Sequence, residues 1–149
     1  MEQKNILLAE DNPDDIELAR RAFQKVNINN NIIVTHDGAE TLDYLDGKGK
    51  YQGRNTLDLP HIILLDLKMP KVHGLEVLKH VRENQQTKYI PVIILTSSQD
   101  KKDVIRSYEL GANSYIVKPI DFLKFSEVVQ QIVIYWLTLN EQPTLKRGV

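Results

Sequence analysis

The chain has 149 residues, the size of one ordinary domain, and a domain of this length can bury roughly two-thirds of the surface that its unfolded form exposes. Hydrophobic residues make up 42% of it and charged residues 26%, a balance that excludes a disordered or fibrous protein and predicts a soluble globular one. Its 19 Lys and Arg residues nearly cancel its 20 Asp and Glu residues, so net charge gives no reason to expect nucleic acid or an anionic membrane as a partner.

The chain has no cysteine, which excludes disulfides, thiolate metal sites and a cysteine nucleophile. No charged-then-apolar signal segment precedes the first apolar run, and no window approaches the ~20 apolar residues that span a bilayer. These observations predict a cytoplasmic protein.

Short apolar runs alternate along the chain with segments of helical periodicity. In chain order, these are a strand at Ile6 to Ala9, a helix from Pro13, a strand at Ile32 to Val34, a helix at Ala39 to Leu45, a strand at Ile62 to Leu65, a helix at Gly74 to Glu83, a strand at Val92 to Leu95, a helix at Asp100 to Leu110, a strand at Tyr115 to Val117 and a helix at Phe122 to about Leu139. The apolar runs are continuous, which is typical of parallel strands covered on both faces.

This alternation predicts an α/β fold: a doubly wound, five-stranded parallel sheet with helices on both faces and the flavodoxin-like strand order 2-1-3-4-5. We expect one domain over residues 1–140 and a polar, disordered tail over residues 141–149. The connection from Gly47 to Pro60 is longer than most loops and interrupts the regular alternation.

Polar residues follow four of the predicted strands at the point where each strand ends: Glu10 and Asp11, Asp66, Thr96, and Lys118. The carboxyl ends of the strands form the ligand-binding edge of such a sheet, so we expect these side chains to meet there. Clustered carboxylates repel one another and therefore have either raised pKa values or a bound cation. Mg²⁺ is the natural candidate because it prefers oxygen ligands and binds through one or two carboxylates.

The same residues provide what phosphoryl transfer requires. An ionised carboxylate can attack a phosphoryl donor to form an aspartyl phosphate. A metal ion and Lys118 could neutralise the transferred group, and the Thr96 hydroxyl could donate to one of its oxygens.

Four motifs resemble the receiver domains of two-component response regulators. They are Ala-Glu-Asp at 9 to 11, Leu-Leu-Asp-Leu-Lys-Met-Pro at 64 to 70 with Gly74 beyond, Leu-Thr-Ser at 95 to 97, and Tyr-Ile-Val-Lys-Pro at 115 to 119. The resemblance extends from about Asn5 to Leu139. It implies a phosphorylation-operated switch that is not an enzyme, although the phosphorylated form would hydrolyse slowly.

The resemblance also implies a role for each matching residue. Asp66 would be the phosphoacceptor, with Thr96 and Lys118 contacting the phosphoryl group. The implied Mg²⁺ ligands are Asp11 directly, Glu10 through water, Asp66, and the backbone carbonyl of Lys68. Tyr115 would be an aromatic switch residue beside Thr96, and the bond between Lys118 and Pro119 would be cis.

Two further features resemble the single-domain regulators that partner bacterial phytochrome histidine kinases: the insertion from Gly47 to Pro60 and an apolar last helix with no output domain after it. A histidine kinase, specifically one of phytochrome type, is therefore the expected partner. Apolar residues surround the last helix almost completely from Ile132 onward, which predicts a homodimer through the face formed by the fourth helix, fifth strand and fifth helix.

Each residue of the predicted site has an ordinary explanation when it is considered alone. A carboxylate or Thr96 at a strand end could be a helix cap, Lys118 a surface lysine and Tyr115 part of the core. Two other functions also remain open. A phosphatase with an aspartyl nucleophile usually has a second Asp two residues later, where this chain has Lys68, and a phosphate-independent interaction module usually lacks one of Asp66, Thr96 or Lys118.

Overall fold

The computed structural model describes residues 2–143. Its elements are β1 (Lys4–Ala9), α1 (Pro13–Lys25), β2 (Asn30–Thr35), α2 (Gly38–Asp46), β3 (Ile62–Leu65), α3 (Gly74–Glu83), β4 (Val92–Thr96), α4 (Lys101–Glu109), β5 (Ser114–Val117) and α5 (Phe122–Ile134). All five strands and five helices predicted from the sequence are present. Among the described residues, no helix is long and apolar enough to cross a membrane.

The five strands form one parallel sheet in the order β2-β1-β3-β4-β5, which confirms the predicted topology. The register brings the carboxyl ends of the central strands level with one another. Ala9 pairs with Leu65, Leu65 pairs with Ile94, and Thr96 pairs with Val117. The residues that follow β1, β3 and β5 therefore emerge at the same edge of the sheet.

Alternate residues of the buried strands face two separate cores. On one side, Ile6, Leu8 and Leu64 pack with apolar residues of α1 and α5. On the other side, Leu7 and Leu65 pack with α2 and α3. Burial on both faces explains why the strands are continuous apolar runs rather than alternating ones.

Helix α4 is much less deeply buried than its neighbours. Ser107 is its one buried residue, and its large apolar side chains Ile105 and Tyr108 are exposed. Helix α3, by contrast, buries Gly74, Val77, Leu78 and Val81. The sheet therefore holds α4 through few contacts.

Capping residues set the ends of α2, α3 and α4 within a residue of prediction. The Asp37 side chain accepts a hydrogen bond from Glu40 N, so α2 begins one residue before the predicted start. It ends at Gly47, whose left-handed φ of 67° is favourable for glycine. Asp100, predicted as the first residue of α4, is instead its N-cap and accepts from Lys102 N.

The last predicted helix changes its winding before it ends. The α-helix stops at Ile134, and residues Tyr135–Leu139 form a π-helical turn. The Thr138 hydroxyl donates to Ile134 O, and Asn140 N donates to Tyr135 O at 2.8 Å. The wider turn rotates the end of the helix relative to a continuous α-helix.

The predicted cis bond between Lys118 and Pro119 is wrong, since the described residues contain no cis peptide bond. Trans is the lower-energy isomer of an X–Pro bond by about 0.5–1 kcal/mol. With the trans bond, Lys118 N still donates to Thr96 O at 2.8 Å, and the Lys118 side chain still points at the carboxyl edge of the sheet. Neither interaction requires the cis isomer.

The insertion between α2 and β3 is anchored on α2. It contains a 3₁₀ turn at Gly49–Tyr51, and the Tyr51 hydroxyl donates to Glu40 Oε2 at 2.6 Å. Arg54 lies over the Tyr44 ring, 4.0 Å from its centroid, and its Nε donates to Tyr44 O at 2.8 Å. The long connection is therefore held in place by charge-assisted hydrogen bonds.

The predicted disordered tail falls largely outside the described residues. Gln142 is described, and its side-chain amide donates to His61 O at 3.1 Å. Residues 144–149 are not described, so the expectation for the tail and for the boundary at residue 140 stays a prediction.

We expect Glu40→Gln to lower the free energy of unfolding at pH 7 by about 2 kcal/mol, because charge-assisted hydrogen bonds become neutral ones. Burial alone would raise the pKa of the Glu40 carboxyl, but hydrogen bonds from Tyr51, Lys50 and His36 lower it to about 2. A carboxyl whose pKa is lowered by folding stabilises the protein above its unfolded pKa, and this contribution is lost as the pH falls toward the folded pKa. The difference in the free energy of unfolding between wild type and Glu40→Gln, measured by urea denaturation, should therefore shrink below about pH 4.5.

The control is Glu17→Gln, which removes an exposed carboxylate that pairs with Arg21, 3.1 Å away on the same helix. Such a pair contributes about 0.5 kcal/mol or less. If Glu40→Gln lowers the free energy of unfolding by the same amount at pH 7 and pH 3, the lowered pKa assigned to Glu40 is contradicted.

Candidate functional site

The first part of the site is the turn from β1 into α1. Glu10 N donates to Thr35 O at 2.9 Å, which continues the sheet pairing by one residue and fixes Glu10 at the sheet edge. Asn12 then caps α1, and its side-chain oxygen accepts from the backbone N–H groups of Asp14 and Asp15. Pro13 occupies the first helical position, where a missing N–H costs nothing.

The second part is the loop that follows β3. Asp66 N donates to Ala9 O at 3.1 Å, so Asp66 stands beside the end of β1. The chain then approaches α3 so closely that a Cβ on Gly74 would lie 2.5 Å from Asp66 O. Only glycine fits at this position without moving backbone, and Gly74 therefore fixes the position of Asp66 relative to α3.

Three carboxylates meet where these two loops adjoin. One oxygen each from Glu10, Asp11 and Asp66 lies within 4.8 Å of the other two. Glu10 and Asp66 are buried, and Asp11 is exposed. Oxygen ligands of this charge and number fit a hard divalent cation such as Mg²⁺, which uses one or two protein carboxylates and retains several waters.

Lys118, which follows β5, enters this cluster from the opposite side. Its Nζ lies 2.5 Å from Glu10 Oε1, 2.8 Å from Asp15 Oδ2 and 3.1 Å from Asp66 Oδ2. The Lys118 side chain is 11% exposed. Its ammonium group is thus largely removed from water and surrounded by carboxylates.

Burial and mutual repulsion determine the electrostatics of the cluster. Burial raises the pKa of Glu10 to about 7, and the nearby charge of Asp66 adds to this rise, while the hydrogen bond from Lys118 opposes it. Burial would lower the pKa of Lys118, but hydrogen bonds to Asp15 and Glu10 outweigh it and raise that pKa above its usual range. One lysine therefore partly neutralises several crowded carboxylates.

The predicted switch residues lie beside the cluster on β4 and β5. Thr96 is fully buried, and its hydroxyl accepts from Ser98 N at 3.4 Å. The Tyr115 hydroxyl donates to Ser98 O at 3.0 Å, and burial raises the pKa of Tyr115. Among the described residues, no hydrogen bond joins Thr96 to Asp66. Ser98 therefore connects the two switch residues, although the cluster itself does not include them.

The site opens to solvent through a cleft of about 590 Å³. Besides the carboxylates and Lys118, the cleft is lined by Lys68 and Ser97. Lys68 N donates to Asp66 Oδ1 at 3.3 Å. The role predicted for the Lys68 carbonyl as a metal ligand stays a prediction, as do the roles predicted for Thr96 and Tyr115.

Two contacts at the site were not predicted from the sequence. One is the ion pair between Asp15 and Lys118, and the other is the hydrogen bond from Ser98 Oγ to Asp103 Oδ2, at 2.6 Å. Asp14 and Asp15 lie a few residues after the acidic pair that follows β1, and this run of acidic residues was the available sequence signal for the first contact. Acidic residues in a first helical turn are common for another reason, their interaction with the helix dipole.

Comparison with known proteins gives a consistent family assignment. A family model described as the response regulator receiver domain matches residues 6–130. The chain is 38% identical over 141 residues to the probable methanogenesis regulatory protein FilR2 of Methanothrix harundinacea, covering 93% of this chain and 86% of FilR2. It is 37% identical over 134 residues to the response regulator Rcp1 of Synechocystis, covering 90% of this chain and 89% of Rcp1.

Solved structures agree with this assignment. The phosphorylated cyanobacterial phytochrome response regulator RcpA matches with a TM-score of 0.89 at 34% identity, over 96% of this chain and 100% of that chain. The Mn²⁺-bound form of Rcp1 matches with a TM-score of 0.87 at 36% identity, over 95% of this chain and 99% of that chain. From the family model, the relatives and the fold together, the chain belongs to the response regulator receiver domain family.

Proposed function

We propose that this chain is a phosphorylation-operated response regulator that accepts a phosphoryl group on Asp66. The observation that supports this most strongly is the position of the Asp66 carboxylate. It belongs to the acidic cluster with Glu10 and Asp11, and it also accepts a hydrogen bond from Lys118 at 3.1 Å. The Asp66 carboxylate is thus a possible nucleophile that lies beside candidate metal ligands and in contact with the positive charge of Lys118.

In the proposed reaction, an Asp66 carboxylate oxygen attacks the phosphorus of a phosphohistidine on a histidine kinase. A P–O bond to Asp66 forms as the P–N bond breaks, and the bonding electron pair leaves with the imidazole, which then takes up a proton. A carboxylate has no proton to lose before it attacks, so the reaction needs no separate base. Lys118 contributes a positive charge next to the transferred group.

Mg²⁺ is the proposed cofactor, held by Asp11 and Asp66 with Glu10 acting through water and the Lys68 carbonyl as a further ligand. When bound, it would neutralise charge on the phosphoryl oxygens. The chain itself supplies the cavity and the orientation. Glu10 is fixed by its backbone bond to Thr35 O, and Asp66 is fixed by the close approach of Gly74.

The phosphoryl group is proposed to act on the protein through Thr96 and the loop that follows it. Attraction of the Thr96 hydroxyl toward the phosphoryl oxygens would pull on Ser98, which holds both the Tyr115 hydroxyl and, through its own hydroxyl, Asp103 at the start of α4. Because α4 is held by few buried contacts, a small change in this loop can shift its position. The result is a population shift between two packings.

The proposed partner is a histidine kinase of the phytochrome type. RcpA, a phytochrome response regulator, resembles this chain over nearly its whole length, which supports that partner. FilR2, named as a probable methanogenesis regulatory protein, is 38% identical to this chain, compared with 34% for RcpA. The kinase class therefore rests on the receiver fold as a whole, whereas the phytochrome assignment rests on RcpA.

We also propose a homodimer through α4, β5 and α5. Several large apolar side chains on this face are exposed in one copy of the chain, namely Ile105, Tyr108, Val117, Phe122 and Leu123. Exposed apolar side chains that lie together on one face are typical of association surfaces, and a two-fold contact buries the same patch on both copies.

Intact mass after treatment with acetyl phosphate tests the phosphoacceptor. We expect wild type to gain one phosphoryl adduct when Mg²⁺ is present and none in EDTA, and Asp66→Asn to gain none in either, because the amide is not a nucleophile. Asp14→Asn, which alters an exposed carboxylate on the first turn of α1, is the matched control and should behave as wild type. A folded wild type without an adduct would favour the phosphate-independent interaction module.

Thermal unfolding with and without Mg²⁺ tests the metal site. A ligand that binds only the folded state stabilises it by about 1.4 kcal/mol at ten times its Kd, which raises the melting temperature by roughly 2–6 °C. We expect this rise in wild type and its loss in Asp11→Asn, with NaCl added to match ionic strength. In EDTA, Asp11→Asn should melt no lower than wild type, because the substitution relieves repulsion. If Mg²⁺ raises the melting temperatures of wild type and Asp11→Asn equally, Asp11 is excluded as a ligand.

Analytical ultracentrifugation tests the dimer. We expect wild type to sediment as a dimer and the Ile105→Glu variant as a monomer. The substitution places a charge in the proposed contact, at a position that is 61% exposed in one copy. Tyr89→Glu changes a similarly exposed residue, 53%, outside that face and should leave the dimer intact. Wild type that sediments as a monomer, phosphorylated or not, contradicts the proposed contact.

A further inference from the structure

The Lys118 ammonium group already has as many carboxylate partners as it has N–H groups. An ammonium has three N–H groups, and three carboxylates surround this one: Glu10 at 2.5 Å, Asp15 at 2.8 Å and Asp66 at 3.1 Å. If Lys118 is to contact a phosphoryl oxygen, one of these partners must give way. One carboxylate would therefore be exchanged for the phosphoryl oxygen, and the three carboxylates differ in how readily they can leave Lys118.

Asp15 differs from the other two partners in its burial and surroundings. Its side chain is 23% exposed, compared with 4% for Glu10 and 7% for Asp66. Asp15 is also outside the group of three carboxylates that could share a cation. Glu10 and Asp66 are enclosed by protein and cannot exchange Lys118 for water, whereas the more exposed Asp15 can turn toward solvent.

The position of Asp15 on α1 further lowers the cost of its release. It lies in the first turn of the helix, after the Asn12 cap, where the N-terminal end of the helix dipole stabilises a negative charge. The carboxylate of Asp15 therefore keeps a favourable interaction after Lys118 has left it. Glu10 and Asp66 follow strands and lie outside a helical turn, and each accepts one backbone hydrogen bond, from Asn12 N and Lys68 N respectively.

We propose that Asp15 is a positioning residue that holds Lys118 in the unphosphorylated protein and is exchanged for a phosphoryl oxygen when Asp66 is modified. This proposal depends on the proposed function, because it assumes that a phosphoryl group binds at Asp66. Asp15 competes with that group for the same N–H donor of Lys118. It thereby favours the unphosphorylated state and sets how strongly the site holds the phosphoryl group.

The consequence is opposite to that expected for a residue that assists phosphoryl binding. Removing the Asp15 carboxylate frees one Lys118 donor, so a phosphoryl group no longer has to displace a partner. Asp15→Asn should bind beryllium fluoride, a non-covalent phosphoryl mimic, about fivefold more tightly than wild type, a gain typical of removing one partly exposed ion pair. With acetyl phosphate and Mg²⁺, the same variant should reach a larger phosphorylated fraction at steady state.

The experiment is a titration of each protein with beryllium fluoride at saturating Mg²⁺, followed by ¹⁹F NMR, with far-UV circular dichroism to check folding. Asp14→Asn removes a neighbouring charge from the same helical turn but has no contact with Lys118, so it should bind as wild type does. Asp15→Glu restores a carboxylate and should return the affinity toward that of wild type. Unchanged or weaker binding by Asp15→Asn would overturn the proposal.

A double-mutant cycle separates exchange at Lys118 from a general effect of charge. In a Lys118→Met background there is no ammonium to compete for, so adding Asp15→Asn should change the beryllium fluoride affinity by less than about twofold. If Asp15→Asn raises the beryllium fluoride affinity equally with Lys118 present and in the Lys118→Met background, Asp15 acts only by repelling the anion. That result would overturn the proposal. Wild type that binds no beryllium fluoride would instead overturn the proposed function itself.

Discussion

The structure of the site depends on one constraint, the placement of several carboxylates at the edge of a sheet where water is largely excluded. Glu10 and Asp66 are each buried, and a negative charge is costly there without a nearby cation. Lys118 provides that cation within the chain, and its own charge is maintained only because the carboxylates surround it. The site is thus a mutually dependent set of charges, in which a change at one member alters the others.

This dependence explains why the surrounding backbone is so closely fixed. Gly74 allows the loop after β3 to approach α3 closely enough to place Asp66, and the parallel register of β1, β3 and β5 brings the remaining members to the same level. A rigid sheet edge supports the charged cluster on one side. On the other side, the hydrogen bond from Ser98 Oγ to Asp103 Oδ2 joins α4 to the loop that follows β4.

The sequence was sufficient to predict the topology and the main charged residues, because continuous apolar runs identify buried parallel strands and the residues after them must share an edge. It did not reveal the partnership of Asp15 with Lys118, since an acidic residue in a first helical turn already has a local explanation in the helix dipole. The bond between Ser98 and Asp103 was also missed, because it depends on the conformation of a loop. The change to a π-turn after Ile134 was likewise missed, because apolar periodicity does not record a local change in helical winding.

The shallow burial of α4 limits how much free energy a signal must supply. Inverting a two-state equilibrium from 1:99 to 99:1 takes about 5.5 kcal/mol, which is comparable to the total stability of many small domains. A helix such as α3, which buries four residues, would require more than a few new hydrogen bonds can provide. Helix α4 buries only Ser107, so repositioning it in the proposed switch would disrupt far fewer buried contacts than repositioning α3.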